Sequence, residues 1–92
     1  GNLGDLCRPQ GRWADAERYL QQCLVICQEV GDRVGEGKTL ENLALLRAAQ
    51  GDVAGGLELE REALRVLETT EDVAEQAKVR GLIEEWENDQ HE

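Results

Sequence analysis

From Trp13 onward, apolar or small side chains fall at positions 13, 16, 20, 23, 27 and 30. Steps of three and four place them on one face of a helix. Leu40, Leu43 and Ala44 make a second such stripe, and no stretch alternates β-branched with polar residues as a half-buried strand would. The pattern predicts helices over about 2–9, 14–30, 34–49, 54–69 and 73–88. Gly11 and Gly51 are expected to end the helices before them, because glycine costs about 1 kcal/mol inside a helix and readily takes the left-handed turn at its end. "VGD" at 30–32 and "TTEDVAE" at 69–75 mark further ends. Asp72 with Glu75 fits a capping box opening the last helix. Pro9 is expected to shorten or kink the first helix, and Gly55-Gly56 to weaken the start of the fourth.

Much of this pattern is written twice. "NLGDLCRPQGRW" at 2–13 returns forty residues later as "NLALLRAAQGDV" at 42–53. Identical pairs are Asn2/Asn42, Leu3/Leu43, Leu6/Leu46, Gln10/Gln50, Gly11/Gly51, Ala14/Ala54, Leu24/Leu64, Asp32/Asp72 and Lys38/Lys78. Similar residues fill in between, such as Cys23/Ala63 and Cys27/Leu67. A third copy begins with Ile83 and Trp86 in the places of Leu43 and Leu46. Self-similarity at this period is the signature of stacked supersecondary units, here of two helices each.

Composition narrows the class. The chain has 92 residues, 40% of them hydrophobic but only 3% aromatic, so its apolar material is Leu, Val, Ile and Ala. With abundant Glu, Gln and Arg, that favours helix in one small domain. The net charge of −10 is uneven: residues 1–40 hold six acids and five bases, residues 41–92 fourteen and five. Such a balance argues against nucleic acid and against anionic membrane surfaces, both of which reward clustered Lys and Arg. No apolar run approaches the ~18 residues of a membrane span. Three cysteines without a C-x-x-C pair fit a reducing compartment, and the expected location is cytoplasmic.

Catalytic chemistry finds little support. The chain has no Ser, and Thr39, Thr69 and Thr70 have no nearby His to serve as base. Glu84 and Glu85 are adjacent on a helix and so diverge, and Gly55-Gly56 lacks the Gly-Lys-Ser/Thr of a phosphate loop. Cys23 and Cys27, four apart, with Cys7 on the facing helix and His91, could begin a zinc site. Their repeat partners Ala63 and Leu67 instead make them small packing side chains. No enzyme activity, cofactor or metal is expected.

A surface remains. On the third predicted helix Lys38, Asn42, Leu45 and Ala49 step by four, three and four, apart from the core stripe and flanked by Glu41. The equivalent positions are Asn2, Asp5 and Pro9 before it and Lys78, Leu82, Glu85 and Asp89 after it. An amide both donates and accepts, so Asn2 and Asn42 could clamp a peptide backbone, or they could bond between neighbouring helices.

"NLGDLCRPQGRWADAERYLQQCL" resembles a tetratricopeptide repeat in Leu3-Gly4, Gly11, Ala16, Leu20 and Cys23-Leu24. The second copy matches at Leu43-Ala44, Gly51, Gly56, Glu60 and Ala63-Leu64; Glu60 stands where the family has a bulky apolar residue, and Cys7 or Arg47 where it has Tyr. The forty-residue period and the "GD" linker are similar to the longer variant of Pins/LGN-type adaptors and bacterial regulators. The resemblance implies an all-α, right-handed solenoid of helical hairpins with about five antiparallel helices: repeat 1 at about 1–33, repeat 2 at about 34–72 and a final helix at about 73–89. It also implies a protein-interaction scaffold whose concave groove takes a peptide or helix. The expected contacts are Asn2, Asp5, Lys38, Glu41, Asn42, Leu45, Ala49, Lys78, Leu82 and Glu85, with Asn2 and Asn42 on the ligand. The acidic second half favours a basic or neutral partner.

Two alternatives stay open. The chain could be a terminal structural or self-association segment of a larger tetratricopeptide protein, or belong to a regulator or signalling ATPase. Stacks usually need at least three repeats, so an incomplete first repeat is expected to drive homo-oligomer formation through exposed repeat ends.

Overall fold

A computed structural model describes the backbone of residues 9–90 and the side chains of residues 12–89. Among the described residues it holds four helices: α1 (Pro9–Val30), α2 (Arg33–Ala49), α3 (Val53–Leu67) and α4 (Val73–Gln90). No strand occurs among the described residues. Each helix packs against the next in sequence, most extensively α2 against α3. The slab measures 45 × 38 × 18 Å, and its thin dimension is that of two helix layers.

Apart from Pro9, the helix expected over 2–9 lies outside the described residues. α1 is described from Pro9 and continues without interruption through Gly11. The expected break at Gly11 is therefore absent. Gly51 and Gly31, by contrast, do end helices, with φ of 92° and 78°. Each is followed by an aspartate whose N–H reaches back to the preceding helix: Asp52 to the Arg47 carbonyl at 2.9 Å and Asp32 to the Cys27 carbonyl at 2.8 Å. Gly51 N–H adds a bond to the Ala48 carbonyl at 2.9 Å, which completes a Schellman ending.

The same aspartates open the next helices. Asp32 Oδ1 accepts the Gly35 N–H at 3.0 Å and Asp52 Oδ1 the Gly55 N–H at 2.9 Å. Asp72 repeats the pattern with Glu75 N–H at 3.1 Å. These caps satisfy donors that a helix start otherwise leaves unpaired. Position 12, after Gly11, is an arginine and offers no such oxygen. No side-chain cap starts a new helix there, and α1 runs through the glycine.

The core gathers Leu40, Leu43 and Ala44 of α2, Leu57, Ala63 and Leu67 of α3 and Val79 of α4, all buried. Leu24 of α1 and Ile83 of α4 pack against it. On α1, Trp13, Ala16, Leu20, Cys23 and Cys27 are half-buried as expected, while Val30, next to the turn, is exposed. Gly56 has a use that outweighs its low helix propensity. A Cβ there would lie 2.8 Å from the Ala44 carbonyl and 3.1 Å from Trp86 Cζ3, so only glycine lets α3 sit this close to α2 with Trp86 of α4 laid over it. Gln76 ties α4 to the end of α3, donating to the Leu67 carbonyl at 2.9 Å and the Thr70 carbonyl at 3.2 Å.

Candidate functional site

The stripe on α2 lies on the surface. Lys38, Asn42, Leu45 and Ala49 are all exposed, while Leu40, Leu43 and Ala44 of the same helix are buried. On α4, Lys78 and Glu85 are exposed and Leu82 is half-buried. Asn2 and Asp5 lie outside the described residues. Cys23 and Cys27 are free and half-buried, and among the described residues no three His, Cys, Asp or Glu side chains are placed to hold a metal ion.

Glu41 departs from the flanking position expected of it. It is only 2% exposed, and Lys78 of α4 lies over it with Nζ 3.3 Å from Oε2, an ion-pair contact whose angles fall short of a hydrogen bond. The pair is a side-chain link between α2 and α4 at this face. Burial first, and then Glu75, push the Glu41 carboxyl above the ordinary carboxylate range, with Lys78 opposing. The neighbouring Glu41 carboxylate in turn raises the Lys78 ammonium.

Beneath them sits Glu60 of α3, wholly buried, with neither carboxylate oxygen hydrogen-bonded. Burial, then Glu41, push it from 4.5 to about 8; Lys78 pulls the other way and Glu75 adds to the rise. A residue the repeat pattern marks only as a misplaced polar side chain thus becomes the centre of a three-helix cluster. Glu36, also buried, is treated differently: Arg33 approaches it at 3.5 Å and the Gln28 amide donates to it at 3.3 Å. Elsewhere Arg47 bonds Glu17 across α1 and α2 at 2.8 Å, and Arg61 pairs with Glu87 across α3 and α4. A hollow of about 330 Å³ lined by Arg47, Asp52, Gly55, Glu58, Leu59 and Glu62 shares no residue with the stripe.

A tetratricopeptide repeat family model matches residues 1–69, three quarters of the chain. The chain belongs to the tetratricopeptide repeat family. No curated protein and no solved structure matches it. Members of this family are typically non-catalytic modules that mediate protein–protein interaction. The α2–α3 hairpin is consistent with a tetratricopeptide unit, and no helix among the described residues is long and apolar enough to cross a membrane.

Proposed function

We propose that this tetratricopeptide chain is a scaffold that binds a peptide or helix of a partner protein along the stripe of α2 and α4. The observation that carries the reading is the split character of α2. One face is sealed in the core, and the other presents Lys38, Asn42, Leu45 and Ala49 to solvent. Lys78, Leu82 and Glu85 extend that face onto α4, and Asn2 and Asp5 extend it on the other side in the repeat alignment. Glu41 serves from below by holding Lys78 in place. In this reading the units follow one another as a right-handed solenoid of the longer, Pins/LGN-like type, with repeats at about 1–33 and 34–72 and a final helix at about 73–89. Asn42 then pairs with a peptide backbone through its amide, and the acidic balance of residues 41–92 favours a basic or neutral segment. Selection of peptides from a random displayed library tests the reading. Recovered binders rich in Lys and Arg that lose affinity to the Asn42→Ala protein support it, and binders indifferent to every stripe residue contradict it.

A second reading is favoured by α1. Tyr19, Ile26 and Val30 are exposed and, with half-buried Cys23, step by four, three and four along one line. An apolar line of this kind suits self-association of the chain. Sedimentation over a wide concentration range tests it: mass rising with concentration, and falling back in Ile26→Glu, is the expected outcome, and a monomer throughout excludes it.

A further inference from the structure

The buried carboxylates lie where no peptide on the stripe would touch them, and they point to a separate device. We propose that Glu60 is the centre of a proton-binding site, completed by Glu41 and Glu75, whose occupancy holds α4 against the α2–α3 hairpin.

Three observations converge. Glu60 is 0% exposed and both of its oxygens lack a hydrogen-bond partner, as does Glu41 Oε2 and Glu75 Oε2. An ionised carboxylate so placed would have neither water nor a donor, a state that a bound proton relieves. Second, the charges acting on Glu60 from both helices packed against α3 are Glu41 of α2 and Glu75 and Lys78 of α4. That is three carboxylates against one ammonium, and the ammonium lies on Glu41. Carboxylates that act on one another in a buried site do not all ionise together. Glu36 shows what a buried carboxylate elsewhere in the chain receives, an arginine and an amide, and Glu60 has neither. Third, the cluster spans three helices, so its charge state bears on how they are held together. The α3–α4 contact is the slighter one that Glu60 touches.

With the proton in place, two negative charges and one positive remain, and the junction closes. Loss of the proton leaves three negative charges against Lys78, whose side chain is 60% exposed and therefore screened. The repulsion acts between α3 and the α4 residue Glu75, and α4 loosens. The direction agrees with the titration of Glu60, raised chiefly by burial from 4.5 to about 8. Occupancy therefore changes just above neutral pH.

Trp86 supplies the reporter, since it is laid against Gly56 where α4 meets α3. In a Trp13→Phe background its emission is the sole tryptophan signal. The experiment follows that emission, and hydrogen exchange of the α4 amides corrected for intrinsic rates, from pH 6 to pH 9.5. The proposal expects a red shift with a one-proton midpoint near 8 and α4 exchange at least about tenfold faster at the top of the range, a tenfold change being one pH unit of one-proton linkage. Glu60→Gln, which keeps the shape and removes the ionisation, should abolish both changes, while Glu58→Gln, an exposed carboxylate on the same helix, should keep them. A transition that persists unchanged in Glu60→Gln, or no transition in the parent, overturns the proposal. If Glu60→Gln does not fold, carbon-13 titration of the Glu60 carboxyl in the parent decides. A midpoint near 8 upholds the proton site, and one in the ordinary range near 4.5 refutes it. No partner is needed at any step, so failure here leaves the peptide-binding reading untouched.

Discussion

Glu60 is one residue at which the family pattern and the structure part company, and its consequence is measurable. Its folded carboxyl titrates at about 8 and its unfolded one near 4.5, so between these values the native chain holds a proton that the unfolded chain has released. Stability from this group is fully present below 4.5, falls as pH rises, and reaches its floor above about 8. Replacing Glu60 by Leu, the kind of residue the family places there, removes that loss. Glu60→Leu should raise the melting temperature more at pH 8.5 than at pH 5, by roughly 2–4 kcal/mol of added stability at the higher pH. Equal melting at the two pH values in the parent protein would contradict it. The departure was visible in the sequence as an acidic residue in an apolar slot. Its neighbours were not, because Glu41, Glu75 and Lys78 meet it only through the packing of three helices.

At the scale of the helix, two glycines of one repeat alignment behave differently. Gly51 ends α2 and Gly11 is passed over by α1. The distinction is one residue further on: the Asp52 side chain accepts from Gly55 and caps α3, and Arg12 has no side-chain oxygen to do the same. Asp32, Asp52 and Asp72 recur every twenty residues, each accepting the N–H three positions on. Asp52→Ala should therefore cost about 1 kcal/mol in urea unfolding, and Asp52→Asn much less. Gly11→Ala should stabilise by about 0.5–1 kcal/mol, since the helix runs through it. A loss of stability on that change would mean that Gly11 serves a turn after all. The three predicted helices after α1 agree with the observed ones to within two residues at each end, because apolar periodicity and G-D punctuation coincide there. At Gly11 only half of that punctuation is present, and periodicity alone could not settle the boundary. The exposed stripe on α2 was legible for the same periodic reason, with Glu41 the exception: it is buried, and the cation paired with it, Lys78, stands thirty-seven positions along the chain.

For the molecule as a whole, the acid-rich second half and the exposed face of α2 give the proposed interaction its character. The net charge of −10 makes association with a basic segment weaken as salt is added. Asn42 is exposed, so its loss should leave folding alone while removing a hydrogen-bonding group from the bound peptide backbone. The most direct measurement is calorimetric titration of a basic peptide, taken from the library selection, into the parent protein and into Asn42→Ala, with melting temperatures recorded beside it. The account predicts binding weaker by about 1–3 kcal/mol in the variant, at an unchanged melting temperature. The contradicting result is the reverse: a sharply lower melting temperature with the peptide's affinity intact, which would make Asn42 a strut between helices and place the partner's site elsewhere.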